Sequence, residues 1–265
     1  MSEIAIGAHV DQTDPIAEAA ARQAPLVQFF LGDPQGYKGP EFRYAGGAEG
    51  LVADAAAAGV DLYVHAPYIV NVATTNNRIR IPSRKLLQQH VDAAAAIGAK
   101  GLIVHGGHVG KDDDPDKGFD NWRKAVEATD LKVPLLIENT AGGDNAMTRY
   151  LERIARVWDA ISGTEQADRV GFCLDTCHAH AGGNALETVV DDVRRITGRI
   201  DLVHCNDSRD EFDSGADRHA NFGAGRIDPE LLAAVVRDAA APVVCETPGG
   251  AAEHTADFAW LRERL

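Results

Sequence analysis

Several of the features that would classify this sequence at a glance are missing. No apolar run is long enough to span a bilayer, and residues 1–9 carry no basic leader before a strand-like stretch. Membrane and secreted classes are set aside, and a soluble, cytoplasmic protein is expected. Cysteine is scarce: Cys173, Cys177, Cys205 and Cys245 sit in or beside apolar runs without a CxxC pair. That pattern excludes a disulfide framework and a zinc knuckle, and predicts buried thiols in a reducing compartment. Positive charge is short, with 26 Lys and Arg against 40 Asp and Glu, a net charge of −14. Such a balance argues against simple DNA binding, which draws on excess Lys and Arg. The objection weakens if buried carboxylates hold divalent cations. Also missing are a GxGxxG after the first strand, which removes a dinucleotide fold, and any linker or low-complexity tract.

What is present is regular. Short apolar runs recur about every thirty residues, at 4–10, 26–31, 62–65, 101–105, 134–138, 170–175, 200–204 and 242–246. Their lack of polar alternation predicts parallel strands buried on both faces. Alanine-rich helical stretches lie between them, with helices expected over 84–97, 144–161, 186–196, 231–240 and 253–262. Ser83 and the Asp228-Pro229-Glu230 run provide start signals. Eight strands alternating with eight helices predict one α/β domain over residues 1–265, a (β/α)8 TIM barrel. The acidic run 112–114 reads as solvated loop.

The strand ends are chemically unusual. They carry His65 (HAPY), His105 (HGGH), Glu138 (ENTAGG), Asp175 and His178 (LDTCHAH), His204 (HCND) and Glu246 (CETPGG). The loop after the seventh strand adds Asp217 and His219 (DRHANFG). In a barrel these positions converge on one mouth. Four carboxylates gathered there repel one another and raise each other's pKa unless cations separate them. Mixed nitrogen and oxygen donors suit zinc, with manganese or iron as substitutes, better than magnesium or calcium. Nine donors exceed one tetrahedral ion and suffice for two or three. Clustered ions fit hydrolysis of a phosphate ester, where they activate water and clamp attacking and leaving oxygens.

Together, HAPY, ENTAG, LDTCHA, HCND, DRHANFG and CETPG resemble the endonuclease IV family, metal-dependent apurinic/apyrimidinic endonucleases of DNA base-excision repair. The resemblance runs from GAHV at residues 7–10 to residue 249. It implies three zinc ions: His65, His105 and Glu138 for the first, Asp175, His204, Glu246 and a bridging Glu138 for the second, His178, Asp217 and His219 for the third. It also implies cleavage of double-stranded DNA 5′ to an abasic site, leaving a 3′-hydroxyl, with trimming of blocked 3′ ends. Glu246 and Glu138 are the expected catalytic carboxylates, Glu246 handling the attacking water. A monomer, nucleoid-associated, is expected.

DNA contact falls to loops. Tyr68 and Ile69 occupy the place where the family has an aromatic and an aliphatic wedge, and Gln35 stands where some members carry an arginine-bearing segment. Arg78 and Arg80, with Arg84, Lys38, Arg43 and Arg218, make a candidate basic rim, and His108 a minor DNA contact. HGGH has one residue fewer between its histidines than the family's common HPGSH. His9 and His180 are expected near the mouth without a ligand role. A sugar isomerase on a similar barrel is the enzyme rival, but no lysine stands at a strand end for proton transfer. A non-catalytic, metal-stabilised lesion-binding module is the other.

Overall fold

The computed structural model describes residues 4–143 and 145–265. Its strands are β1 (Ile6–His9), β2 (Leu26–Phe30), β3 (Asp61–His65), β4 (Gly101–His105), β5 (Leu135–Glu138), β6 (Val170–Asp175), β7 (Leu202–His204), β8 (Asp207–Ser208), β9 (His219–Ala220) and β10 (Val243–Cys245). Eight of them, all but β8 and β9, close a parallel barrel in the order β1-β10-β7-β6-β5-β4-β3-β2. The expected TIM barrel is therefore the fold. The short antiparallel pair β8–β9 lies outside that ring, in the segment after β7.

Helices α1 (Pro15–Arg22), α2 (Gly47–Ala58), α3 (Asn77–Ala96), α4 (Pro115–Ala128), α5 (Leu151–Ile161), α6 (Thr176–Ala181), α7 (Val189–Thr197), α8 (Pro229–Ala239) and α9 (Ala251–Arg262) fill the crossovers. Three begin at Asp-Pro pairs, where Asp14, Asp114 and Asp228 accept a backbone N–H and proline takes the first helical position. Asp114 is thus a cap, and Asp113 accepts from Thr75 Oγ1 at 2.5 Å and from the Gly110 N–H at 2.9 Å. The acidic run is built into a loop rather than merely solvated.

Two helix expectations need correction. The helix expected at 84 begins at Asn77, because Asn76 caps it by accepting from the Arg78 N–H, while Ser83 Oγ accepts from the Asn71 N–H and ties down the preceding loop. The helix expected at 144 begins at Leu151. Residue 144 lies outside the described residues, and the backbone of 146–148 pairs with neighbouring loops instead, Met147 N–H with Gly107 O and Thr140 N–H with Thr148 O. The sixth crossover is also split, a six-residue α6 preceding α7.

Buried side chains form two clusters. The larger one lies between strands and helices. The smaller joins Leu26, Tyr63, Ile103, Leu136, Cys173, Leu202 and Val244, one from each of seven barrel strands, and is the apolar layer inside the barrel. All four cysteines are free and buried, as expected. Trp122 is fully buried and its indole donates to Gly106 O at 2.7 Å, so packing under α4 fixes the loop after β4. That loop is short because glycine permits it: a Cβ on Gly106 would meet Thr148 Oγ1 at 2.1 Å, and Gly107 has φ of +68°.

Candidate metal centre

Side chains on a strand alternate faces, so the residue two positions after an inward-facing one also points inward. Adding two to each member of the inner apolar layer gives Gln28, His65, His105, Glu138, Asp175, His204 and Glu246. The polar site is thus the next layer up in the barrel, toward the C-terminal ends of the strands. Ladder pairing sets its register, with His105 opposite Glu138 and Asp175 opposite His204.

Donor atoms gather in groups that match the expected sets. His65, His105 and Glu138 form one, Glu138, Asp175, His204 and Glu246 a second, and His178, Asp217 and His219 a third. Asp175 and His219 also group with Cys177. Glu138 is central: its Oε2 lies 3.2 Å from His65 Nε2 and 3.3 Å from His105 Nε2, and its Oε1 lies 3.2 Å from His204 Nδ1. His204 Nδ1 is also 3.3 Å from Glu246 Oε2. In the third group Asp217 Oδ1 lies 3.1 Å from both His178 Nε2 and His219 Nε2.

The imidazoles are oriented from behind, as metal-binding histidines are. His65 Nδ1 faces Ala66 O at 2.7 Å, His178 Nδ1 faces Asn139 O at 2.9 Å, and His219 Nδ1 faces Glu246 O at 3.2 Å. His204 Nε2 faces Gln28 Oε1 at 2.8 Å. With the proton on each of those nitrogens, the other nitrogen offers its lone pair to the site. His178 Nε2 and His219 Nε2 are buried and make no hydrogen bond among the described residues, although each lies 3.1 Å from a carboxylate oxygen. A divalent cation satisfies such atoms, and the donor set fits zinc.

Electrostatics points the same way. Burial pushes the Asp175 carboxyl up. It acts in that direction on Glu138 and Glu246 too, but His204 foremost among the facing imidazoles holds both well below the usual carboxylate range. Burial opposes a charge on His178 and His204, yet both are raised well above a free imidazole, His178 chiefly by Asp175 and His204 by Cys173, Glu246 and Glu138. Against burial, Asp217 and Asp175 push His219 up to about 9. The carboxylates therefore demand positive charge, which bound cations supply in place of protons.

Three supporting residues escaped the sequence reading. Gln28 donates to Glu246 Oε1 at 2.7 Å, accepts from His204, and lies 3.0 Å from His9 Nδ1. Asn206 donates to Asp175 Oδ2 at 2.7 Å and accepts from the Glu246 N–H. Asn139 accepts from the Asp175 N–H and donates to its carbonyl. The signal for Gln28 was strand alternation, since it is the polar member of its inward layer on β2. His9, 3.6 Å from Glu246, is held by burial below the usual imidazole range.

Around this centre the rim is uneven. Tyr68 is 49% exposed and its ring packs against His65, His105 and Phe30. Ile69 beside it is half-buried. They border an open groove of about 530 Å³, also lined by Tyr37, Asn71, His105 and His108. His108 is exposed, and Gln35 is exposed on the loop after β2, tied to the next loop by a Tyr68 N–H to Pro34 O bond of 2.9 Å. Arg78 is exposed in the first turn of α3, while Arg80 donates to Thr74 O at 2.8 Å. Arg84 turns inward to Asn121 O, and Arg218 pairs with Asp210.

Known proteins offer three likenesses. A family model described as "Xylose isomerase-like TIM barrel" matches residues 16–264. "Probable endonuclease 4" of Mycobacterium bovis is 56% identical over 259 residues, covering 98% of each chain, and the protein of that name from Mycobacterium leprae is 54% identical with the same coverage. The crystal structure of endonuclease IV from Thermus thermophilus superposes with a TM-score of 0.82 at 28% identity, covering 98% of this chain and 99% of the other. On these grounds the chain belongs to the endonuclease IV family of nucleases, built on the xylose isomerase-like TIM barrel.

Proposed function

We propose that the protein is a DNA-repair endonuclease that hydrolyses the phosphodiester 5′ to an abasic site in duplex DNA, leaving a 3′-hydroxyl, and that it also trims blocked 3′ ends. The observation that carries this reading is the sharing of Glu138 between two donor groups, with a third group of His178, Asp217 and His219 alongside. We assign the nine residues to three zinc ions, which manganese or iron can replace. Divalent ions so placed favour a deprotonated water near neutral pH and offset charge on the phosphate.

The chain's own residues do the rest. Glu246 takes the proton of the attacking water; the water oxygen bonds to phosphorus, and the bond from phosphorus to the 3′-oxygen of the preceding nucleotide breaks, that oxygen taking a proton from solvent to become the 3′-hydroxyl. Gln28 holds Glu246 Oε1 at 2.7 Å, while Oε2 faces His204 Nδ1 at 3.3 Å and accepts from Asn206 Nδ2 at 3.5 Å. Glu138, fully buried among four imidazoles, fixes the first two donor groups relative to each other. Tyr68 and Ile69 are assigned as the wedge at the extruded sugar, which lacks a base and so leaves the stack at low cost. Gln35, His108, Arg78, Arg80 and Arg218 are assigned to the flanking strands, with Arg218 first leaving Asp210. The protein acts as a monomer in the cytoplasm, at the nucleoid; among the described residues no helix is long and apolar enough to cross a membrane.

The test is direct. A duplex with one abasic site should be nicked on its 5′ side by the protein, and a chelator should stop the reaction. An intact duplex at high enzyme concentration would overturn the proposal.

A further inference from the structure

The ligands of the third group reach the mouth in a way the others do not. Asp217 comes from the segment joining β8 to β9, His219 opens β9, and the Asp217 side chain is half exposed. A carboxylate on an exposed loop loses much freedom when it is held between two imidazoles. Something must hold the loop, and the structure contains a built anchor some residues away from the ligands.

Residues 210–215 are stitched to α6 and the turn after it. Asp213 N–H donates to His180 O at 3.0 Å, Gly215 N–H donates to Ala181 O at 2.8 Å, and His180 Nε2 lies 3.2 Å from Asp210 O. Arg149, from the loop before α5, crosses to this segment: its Nη2 is 2.9 Å from Asp213 Oδ1 and its Nε donates to Gly182 O at 3.4 Å. The Arg149 side chain is only 9% exposed, so its charge is largely desolvated and strongly favours a carboxylate partner. Asn184 in turn donates to Arg149 O at 2.7 Å. Asp213 also sits at φ +58°, a left-handed conformation that aspartate adopts more readily than most residues.

We propose that the Arg149–Asp213 ion pair is a positioning clasp for the third metal ion: it fixes residues 210–215 on α6, and so places Asp217 against His178 and His219. The inference rests on the assignment of three ions made above. Neither residue is a ligand, and both lie outside the donor groups.

The test is zinc release from the zinc-loaded full chain to a coloured chelator, followed by rate and by ions per chain. Asp213→Ala removes one partner of a desolvated arginine and places alanine at a positive φ, so its thermal midpoint should fall, and zinc release is compared well below that midpoint. One ion of three should leave about tenfold faster, as expected for loss of one charge-assisted hydrogen bond, while the other two leave at the wild-type rate. Asp213→Asn, which tolerates the left-handed backbone and keeps an acceptor, and Arg149→Lys should fall between. A wild type with three ions whose Asp213→Ala variant releases all of them at wild-type rates would overturn the clasp alone. A wild type that never holds a third ion would overturn the three-ion assignment, and the clasp with it.

Discussion

The two sides of the barrel mouth are built by different means. His65, His105, Glu138, Asp175 and His204 end barrel strands, and Glu246 directly follows β10. Their positions are set by ladder register and by the apolar layer beneath them. Asp217 and His219 instead ride on a segment outside the barrel ring, and Tyr68, Gln35 and Arg218 stand on exposed loops. Six of the nine proposed ligands sit on or directly after barrel strands, whereas the third group and the residues proposed to meet DNA lie outside them. Substitutions on each side should separate the chemistry of Glu246 from grip on DNA.

The largest effect is expected at the strand side. Glu246→Gln keeps the shape and removes the base, so turnover should fall by roughly 10²–10⁴-fold, the range for a positioned general base. Binding of an abasic duplex, measured by fluorescence anisotropy, should survive. A variant that nicks at near wild-type rates would remove Glu246 from the role.

A smaller loss is expected at Gln28, which touches no proposed substrate group. Gln28→Leu frees Glu246 and His204 from their shared amide, and metal affinity or turnover should drop by about 10–100-fold, as for other residues that orient metal ligands. Chelator competition and initial rates both read this. Unchanged values would mean that the strand register alone orients the ligands.

On the rim, where Arg78 and Arg80 stand at the start of α3, the effect should fall on binding alone. Replacing Arg78 and Arg80 by Glu should weaken DNA binding and lower the slope of log Kd against log salt by roughly two, about one for each phosphate no longer neutralised. Turnover at saturating DNA should hold. An unchanged slope would take both arginines off the rim and blur the division between the two sides.

How much of this was legible in sequence follows the same division. Six strand ends were readable because their apolar runs stop at a histidine or acid, as those at His105 and Glu138 do. Gln28 lay in the middle of an apolar run, and its importance emerged only from its hydrogen bonds to Glu246 and His204. Helix starts were hidden where a competing polar partner won. Ser83 looked like a cap but accepts from Asn71, and Asn76 caps α3 in its place. Rim charges were least legible, because their side chains are engaged elsewhere: Arg84 turns to Asn121, remote in sequence, and Arg218 pairs with Asp210. Position along the chain could not reveal which arginines were already engaged.

The central claim is that nine residues hold three ions that act on DNA. It is tested most directly by adding zinc back to the demetallated protein while following nicking of a duplex with one abasic site. The account predicts that activity is absent at the start and levels off at about three equivalents per chain, in line with clustered-ion hydrolases. Full activity at one equivalent, or nicking with chelator in excess, would contradict it.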